Sequence, residues 1–378
     1  MTTIKKLKDI GAIGGGDIFG SALSAVFWFF LASQIEPEQY GEIHWFLGIA
    51  AIFSGVALFG TVNTLTVFTA KNIQIQSALN FLSIISSIIL SFIVILLFPS
   101  FYTIDVGIIL IAYVINTLAI GDLLGRKQYS NYSKYTIIQK ATTLILGLGF
   151  LHLFGYESII FALALSYSLY FKRIYSIFKE IKIDFKLMKT KFGFITNNYL
   201  VSILSISIGQ VDKIVVAPIL GFAILGNYNL AIQIINIMMI FPSVFYKYLL
   251  PQESSGVKNK KAKVIVIVFS ILITFCGIFI APILINEFFP KFSEAVEAIK
   301  IMSLVVIPGT ISLILESEFL GNEKSRIVII GTAVSLSLLI TGMIILGSMF
   351  GIQGVAYSLV ISTISKTVLY AIVRQKMV

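Results

Sequence analysis

The sequence predicts an all-α membrane protein with twelve transmembrane helices in two six-helix bundles, related by a parallel pseudo-two-fold repeat. Three observations predict this class. Of the 378 residues, 57% are hydrophobic and only 12% are charged, whereas a soluble domain carries about 25% charged residues. The hydrophobic residues form long windows with few charges, and the second half of the chain repeats features of the first.

Twelve windows are long enough to be transmembrane helices, since a helix needs about 20 apolar residues to cross a bilayer. The first window follows Lys5, Lys6 and Lys8 as in a secretory signal, but it is too long for one and eleven more follow, so we expect it to be retained. The windows predict an N-terminal lobe (1–177), a basic cytoplasmic linker (178–192) and a C-terminal lobe (193–378). The predicted spans are residues 11–33, 41–62, 76–98, 105–124, 134–154, 158–177, 193–217, 226–249, 263–284, 297–318, 327–349 and 353–373.

The positions of the lysines and arginines predict the orientation. With a cytoplasmic N-terminus, 23 of the 28 basic residues lie in cytoplasmic loops and helix ends, and only Lys291 and Lys300 lie in outer loops. Loops rich in Lys and Arg stay on the cytoplasmic side. We therefore expect a multi-pass protein of the cell membrane with both termini in the cytoplasm. The same distribution argues against nucleic-acid binding, despite a net charge of +10.

An internal repeat relates the two halves of the chain. "LGRKQ" at 124–128 matches "LGNEK" at 320–324, and "FGYESIIFALALS" at 154–166 matches "FGIQGVAYSLVIS" at 350–362, both at an offset of 196. Earlier in the chain, Tyr40-Gly41 matches Leu225-Gly226 at an offset of 185. An even number of spans separates the equivalents, so both halves enter the membrane in the same direction, as in two-lobed transporters.

The chain resembles the Wzx-type polysaccharide-biosynthesis flippases of the multidrug/oligosaccharidyl-lipid/polysaccharide exporter superfamily. Three stretches account for the resemblance: "LASQIEPEQYGEIHWFLGIAAIFSGVALFG" at 31–60, "QVDKIVVAPILGFAILGNYNLAIQI" at 210–234 and "MFGIQGVAYSLVIS" at 349–362. The resemblance implies two six-helix bundles around a central cavity. It also implies movement of a lipid-linked sugar from the cytoplasmic to the outer leaflet.

Polar residues recur on single faces of several predicted spans. Residues at i, i+4 and i+7 share a helix face, and lipid penalises polar faces, so we expect these faces to point inward. Hydrogen bonding between helices is the alternative role for the Asn and Ser residues. Lys140 and Lys366 lie inside spans at similar depths and are candidates for capturing a diphosphate. The candidate transport residues are Asp17, Ser21, Ser24, Lys140, Asn198, Ser202, Ser205, Asp212, Asn229, Gln233, Asn236 and Lys366.

Glycines surround Asp17 in the first predicted span. Gly14, Gly15, Gly16 and Gly20 do not match the G-x-G-x-x-G pattern of a dinucleotide-binding loop, and no strand precedes them. Small residues in a membrane helix let neighbouring backbones approach closely. We therefore expect these glycines to serve helix packing.

The function that these observations predict is a flippase for a lipid-diphosphate-linked oligosaccharide. The alternative is an ion-coupled exporter of drugs or organic cations from the same superfamily, which Asp17 fits and the two lysines do not. An enzyme is not expected, because no loop exceeds 15 residues. We expect no cofactor or metal, and proton or sodium coupling remains open. The expected partners are the lipid-linked oligosaccharide and membrane lipids, with glycan-assembly enzymes as candidates.

Overall fold

The computed structural model describes the backbone of residues 3–98, 102–254, 259–322 and 324–376. Within these ranges, the side chains of residues 3–13, 201, 247, 248, 250–252 and 254 lie outside the description. Every regular element in the described ranges is helical, which confirms the predicted all-α class.

The described residues form seventeen α-helices, with 3₁₀ turns at Tyr156–Ser158 and Pro290–Phe292. The helices are α1 (Thr3–Gln34), α2 (Pro37–Ala57), α3 (Val62–Ala70), α4 (Gln76–Leu97), α5 (Thr103–Gly125), α6 (Tyr129–Phe154), α7 (Ile159–Ser166), α8 (Leu169–Glu180), α9 (Phe185–Thr190), α10 (Phe192–Leu220), α11 (Phe222–Met238), α12 (Ile240–Ser254), α13 (Lys260–Phe279), α14 (Ala281–Phe288), α15 (Ala295–Ser303), α16 (Val306–Gly321) and α17 (Ser325–Gln375).

The chain is a multi-pass membrane protein. Among the described residues, eight helices are long and apolar enough to cross a membrane, or up to ten if each bent helix pair is one span. The 51-residue α17, counted once here, is interrupted at Gly351 by non-helical backbone. All twelve predicted windows fall on helices, but the number of twelve spans stays a prediction.

Proline explains the bends in two predicted spans. A proline inside a helix lacks an N–H and its ring clashes with the carbonyl four residues earlier. Pro242 lies four residues after Met238, where α11 ends with a bend of 45° into α12. Pro308 likewise follows Leu304, where α15 gives way to α16 with a bend of 43°. The eighth and tenth predicted spans are therefore broken helices.

The short helix α3 is a difference from the sequence prediction. The second predicted span runs to residue 62, whereas α2 ends at Ala57. A new helix then starts after Thr61, whose side-chain oxygen accepts a 3.2 Å hydrogen bond from the backbone N–H of Thr64. Side-chain oxygens at this position satisfy amides that have no partner inside the helix. The predicted span 41–62 is therefore interrupted after Ala57, and the Thr61 cap begins the separate helix α3.

The chain divides into two compact units that do not follow the order of the sequence. The first unit contains the chain up to Leu31 and residues Phe46–Gln210. The second contains Ala32–Trp45 and the chain from Val211 onward. Each unit thus takes a segment from the other half of the sequence. The predicted lobes and the linker at 178–192 divide the chain by sequence order, and this division stays a prediction.

The internal repeat is visible in backbone conformation. Gly155 and Gly351, which correspond at the offset of 196, both adopt positive φ, of 82° and 59°. Gly155 separates α6 from the turn that leads into α7, and Gly351 interrupts α17. A side chain rarely tolerates such backbone, and glycine adopts it freely. Equivalent glycines therefore allow equivalent breaks before the last predicted span of each half.

Large apolar side chains lie both inside the units and on their surfaces. In the first unit, Leu65, Leu79, Leu118 and Tyr170 belong to a buried cluster formed by α3, α4, α5 and α8. Many others are exposed, such as Leu153 with 71% of its surface accessible. Because lipid is as apolar as these side chains, their exposure is expected of helices that face a bilayer.

Candidate functional site

The twelve predicted transport residues are distributed over both compact units. The units are described separately below. The first contains seven of them, Asp17, Ser21, Ser24, Lys140, Asn198, Ser202 and Ser205, and the second contains five, Asp212, Asn229, Gln233, Asn236 and Lys366.

Asp17 lies where α1 packs against α6. Its carboxylate accepts a 2.6 Å hydrogen bond from the hydroxyl of Tyr132. One residue before it, Gly16 is so close to Ser133 that a Cβ at this glycine would lie 2.9 Å from the Cα of Ser133. Gly20 lies against Thr136 and Lys140, the next residues along α6. The glycines thus bring the two helices together, as expected for Gly16 and Gly20, whereas a Cβ at Gly14 or Gly15 would meet nothing within 4 Å.

Lys140 lies on the same face of α6 as Tyr132. Tyr132, Thr136 and Lys140 follow one another at intervals of four residues, so they lie in one row along the helix. The row spans about 12 Å at 1.5 Å per residue. Lys140 is partly buried, and it forms no ion pair with any described residue. The carboxylate of Asp17 and the cation of Lys140 therefore lie along one helix interface, with Tyr132, the partner of Asp17, about two turns from Lys140 on α6.

The remaining polar residues of the first unit differ in burial. The side-chain amide of Asn198 donates a 2.9 Å hydrogen bond to the carbonyl oxygen of Phe194 in its own helix. This bond lies within one helix and is not a bond between helices. Ser24 and Ser202 are partly buried, whereas Ser21 and Ser205 are exposed.

In the second unit, Asp212 and Asn229 are both buried. Asp212 is 7% exposed and Asn229 is 1% exposed. Tyr228, the neighbour of Asn229 in sequence, is near enough to Asp212 for an electrostatic interaction. Lys213 lies 3.4 Å from the Asp212 carboxylate and is also buried. In contrast, Gln233 is partly buried and Asn236 is exposed.

Lys366 already has a counter-ion. It forms an ion pair with Glu316, whose carboxylate also accepts a 3.2 Å hydrogen bond from the hydroxyl of Tyr370. The ammonium of Lys366 lies 5.6 Å from the centre of the Tyr370 ring, a cation–π distance. Its charge is thus matched, unlike that of Lys140. The two lysines proposed to act alike have different surroundings.

A buried carboxylate that the sequence analysis left without a role organises one end of the first unit. Asp122 is fully buried and pairs with Arg126 at 2.9 Å and with Arg173 at 2.5 Å. Arg126 also pairs with Glu180 at 2.6 Å. Burial opposes the charge of Arg126, but its hydrogen bonds to Asp122 and Glu180 outweigh that cost and raise the pKa of the guanidinium. The network fixes α8 to the C-terminal end of α5.

The second unit contains an equivalent carboxylate. Glu318 corresponds to Asp122 at the offset of 196, and it pairs with Lys263 at 2.6 Å and with Arg374 at 2.7 Å. In both units, the helix ends in Leu-Gly, and an acid three residues before that glycine pairs with two basic residues. Both partners of Glu318 lie on other helices, whereas Arg126 caps the helix of Asp122 itself. The sequence repeat could have indicated these two carboxylates, because the offset of 196 aligns Asp122 with Glu318. We call the two arrangements the acid clamps.

The described side chains suggest no metal centre. No group of three or more His, Cys, Asp or Glu residues in the part of the chain searched is arranged to hold a metal ion. Among the predicted transport residues of the first unit, Asp17 and Lys140 are the ionisable ones.

Solved structures share this fold, although no protein-family model and no curated protein matches the chain. "Lipid II flippase MurJ, inward closed conformation" aligns with a TM-score of 0.76 at 15% identity, covering 98% of this chain and 87% of that one. An inward-facing multidrug resistance MATE family transporter of the MOP superfamily aligns with a TM-score of 0.66 at 14% identity, covering 94% of each chain. The chain has the fold of the MOP-superfamily transporters.

Another structure with the MOP fold bears on the polarity of the site. A MOP superfamily transporter from Pyrococcus furiosus aligns with a TM-score of 0.62 at 15% identity, covering 98% of this chain and 95% of that one. That transporter is described as having a binding pocket of reverse polarity, which suggests a different function for it.

Proposed function

We propose that this chain is a flippase that moves a lipid-diphosphate-linked oligosaccharide from the cytoplasmic to the outer leaflet for cell-surface polysaccharide or glycan assembly. Transport rather than catalysis is supported by the MOP fold, since the aligned proteins are named as flippases and transporters. Those names include both a lipid II flippase and multidrug transporters. The choice between these substrate classes therefore rests on charge inside the spans.

Lys140 is the observation that supports an anionic substrate. It lies within the candidate span Tyr129–Phe154 and has no ion-pair partner among the described residues. A charge near the centre of a membrane costs about 2.5–3.5 kcal/mol or more, so such residues usually mark a substrate or ion route. A diphosphate would supply the missing counter-charge, and the attraction grows where the effective dielectric is low. An organic cation would be repelled from the same position.

The alternative, an ion-coupled exporter of drugs or organic cations, is favoured only by Asp17. The carboxylate of Asp17 would attract a cation, but it already accepts the hydrogen bond from Tyr132. Lys140 lies about 12 Å from Tyr132 along the same row of α6, against Gly20, which follows Asp17 by three residues on α1. A bound cation would thus approach a fixed positive charge, whereas an anionic head group would gain by moving from the surface toward Lys140.

In the proposed cycle, Lys140 binds the diphosphate while the route is open to the cytoplasm, and alternating access releases the head group outside. Lysine suits this role because its ammonium is a compact charge on a flexible stem. Lys366 contributes only if its pair with Glu316 opens. Coupling to protons or sodium is part of the proposal, with Asp17 as the candidate group, either directly or by forming an ion pair that closes the cytoplasmic side.

The experiment is a flipping assay in proteoliposomes that contain a fluorescent lipid-diphosphate-linked oligosaccharide. We expect Lys140→Ala to slow flipping at least tenfold and Lys140→Arg to retain more activity, because arginine keeps the charge. Lys134→Ala is the matched control, since Lys134 is an exposed lysine of the same helix. A parallel assay measures export of ethidium. If the wild type exports ethidium but flips no lipid, or if Lys140→Ala flips at the wild-type rate, the proposal is wrong.

A further inference from the structure

A polar cavity lies where α3 and α5 end, apart from all twelve predicted transport residues. Its volume is about 530 Å³, and its wall belongs wholly to the first unit. Cavities that bind small ligands typically measure about 300–1,000 Å³. The wall residues that matter below are Asn72, Gln74, Gln76, Arg126, Lys127 and Glu180.

Two wall residues have an unusual backbone. Asn72 and Lys127, with φ of 55° and 57°, are the only non-glycine residues with positive φ in the described chain. Each follows the end of a helix, at α3 and at α5. This conformation costs an ordinary residue about 1–2 kcal/mol, and glycine ends helices in the same way without that cost. Asparagine also adopts this conformation at helix ends, so the turn accounts for Asn72 but not for Lys127. Strained residues of the kind of Lys127 cluster at functional sites.

The charge around the cavity is positive. The wall and its immediate surroundings contain three cations and two carboxylates. The cations are Arg126, Lys127 and Arg173, and the carboxylates are Asp122 and Glu180. Lys127 is exposed and pairs with no carboxylate among the described residues. One positive charge is thus left over, which favours an anionic ligand.

This chemistry belongs to the first half of the chain alone. At the offset of 196, the pair Arg126-Lys127 corresponds to Asn322-Glu323 in the sequence. Arg126 belongs to the acid clamp, which has an equivalent in the second half, but Lys127 has an acid, Glu323, at its equivalent position. The clamp is therefore a feature of the fold, and the charge of Lys127 is not part of it.

Amide groups supply both donors and acceptors in the same wall. Gln76 is 3% exposed and donates a 2.9 Å hydrogen bond to the hydroxyl of Thr69. Its side-chain oxygen accepts no hydrogen bond from any described residue. Such a buried acceptor is costly until a donor reaches it. Asn72 and Gln74 add two exposed amides, so the wall offers mixed hydrogen-bonding groups beside an unpaired cation.

We propose that this cavity binds a glycosyl phosphate, with Lys127 as the partner of the phosphate and the amides as partners of sugar hydroxyls. Phosphate suits a charge-assisted hydrogen bond from an ammonium, and sugar hydroxyls both donate and accept, as amides do. If the chain is the proposed flippase, the ligand is the head group of the lipid-linked substrate, which binds here before it enters the transport route; this assignment rests on the proposed function. A free glycosyl phosphate has the same chemistry.

The experiment is isothermal titration calorimetry on the full-length chain purified in detergent. The probes are the 1-phosphates of glucose, galactose and N-acetylglucosamine, with the three unphosphorylated sugars as controls. We expect at least one glycosyl phosphate to bind, and its parent sugar to bind at least tenfold more weakly. If none of the three phosphates binds the wild type, the proposal is wrong.

Glycine variants separate binding from folding. Lys127→Gly and Asn72→Gly remove a wall side chain but suit the positive φ of these turns, so the unfolding temperature should stay the same or rise. We expect Lys127→Gly to weaken binding of the glycosyl phosphate at least tenfold, whereas Lys134→Ala should leave it unchanged. If Lys127→Gly binds the probe as tightly as Lys134→Ala does, the assignment is refuted.

Competition identifies the source of the ligand. In nanodiscs, a lipid-diphosphate-linked oligosaccharide should displace the soluble probe if the cavity holds the substrate head group. Binding of the probe without displacement assigns the cavity to a free glycosyl phosphate, and either result supports the ligand class. Lys140→Ala serves as the independent variant: it should lose flipping and keep probe binding, so the transport proposal can fail while this one stands.

Discussion

Gly41 and Gly226 pack backbone against backbone inside the second unit. A Cβ on Gly41 would overlap the carbonyl oxygen of Phe222, and a Cβ on Gly226 would overlap the carbonyl oxygen of Pro37. The two glycines are equivalent at the offset of 185. Helices α2 and α11 therefore contact each other through positions that are equivalent in the repeat. Only glycine, which has no side chain, lets the two backbones approach this closely.

Gly41→Ala and Gly226→Ala should each destabilise the protein by about 1–3 kcal/mol or more, the usual cost of overpacking. The overlapping atoms belong to the backbone, so no side chain can turn away to make room. The measurement is the thermal unfolding midpoint of the purified protein in detergent. Gly149→Ala is the matched control, because a Cβ there meets nothing within 4 Å and alanine favours a helix. Equal midpoints for Gly41→Ala and Gly149→Ala would contradict the contact.

The all-helical class was predictable because the bilayer limits what a spanning segment can be. Every backbone polar group must be satisfied within the segment, so a long apolar window predicts a helix. The bends at Met238 and Leu304 were also readable, since Pro242 and Pro308 follow each by four residues. The break between α7 and α8 was not, because Tyr167 and Ser168 are neither glycine nor proline.

The site was predictable only where its signal lies along one helix. Periodicity placed Asp17, Ser21 and Ser24 on one face, but it gave no means of finding Tyr132, which is 115 residues away. Similarly, Lys140 and Lys366 look alike in sequence. The structure shows that Lys366 pairs with Glu316, and the sequence contained no sign of this difference between the two lysines. Pairings between distant segments decide which charges are matched, and a single sequence does not contain them.

Asp122→Asn should destabilise the protein strongly, by about 3 kcal/mol, because it leaves Arg126 and Arg173 without their shared carboxylate. Breaking one side of a buried ion pair costs about 3–5 kcal/mol, and the partial exposure of the arginines lowers that figure. Thermal unfolding in detergent measures it, with the exposed Glu157→Gln as the control. Glu318→Gln should behave in the same way as Asp122→Asn. A midpoint unchanged by both variants would mean that the acid clamps do not stabilise the units.

The orientation is testable by cysteine labelling because the chain has a single cysteine, Cys276, which is exposed and is first changed to serine. Lys186→Cys and Glu294→Cys then place one thiol in each predicted compartment, both at exposed positions. In intact cells, a membrane-impermeant maleimide should label position 294 and not position 186. Permeabilised cells should show both labelled. Labelling of position 186 in intact cells would reverse the predicted orientation.

Asp17→Asn should impair transport while expression and membrane insertion stay near those of the wild type. The hydroxyl of Tyr132 still finds an oxygen acceptor on asparagine, so the α1–α6 contact is kept and only the negative charge is lost. Tyr132→Phe is the complementary variant, since it keeps the charge and removes the hydrogen bond. Flipping is measured over a range of pH and sodium concentration. Normal flipping by Asp17→Asn under all these conditions would remove Asp17 from the mechanism.

Lys366 and Glu316 should behave as a structural pair in a double-mutant cycle. Lys366→Met leaves the partly buried Glu316 carboxylate with the Tyr370 hydroxyl but no cation, and Glu316→Gln leaves the ammonium unmatched, so each single variant should lower the unfolding midpoint. The double variant removes both charges and should be less destabilised than the sum of the two singles, with an interaction energy of about 0.5–3 kcal/mol.

Lys140→Met is the matched comparison for this cycle, because Lys140 has no ion-pair partner to strand among the described residues. It should leave the midpoint unchanged or raise it, since an apolar side chain replaces a desolvated charge, yet it should slow flipping. Lys366→Met should instead reduce flipping only as far as it reduces the amount of folded protein. Equal loss of flipping per folded molecule in both variants would show that Lys366 also contacts the substrate, and it would restore the symmetric role that the sequence predicts for the two lysines.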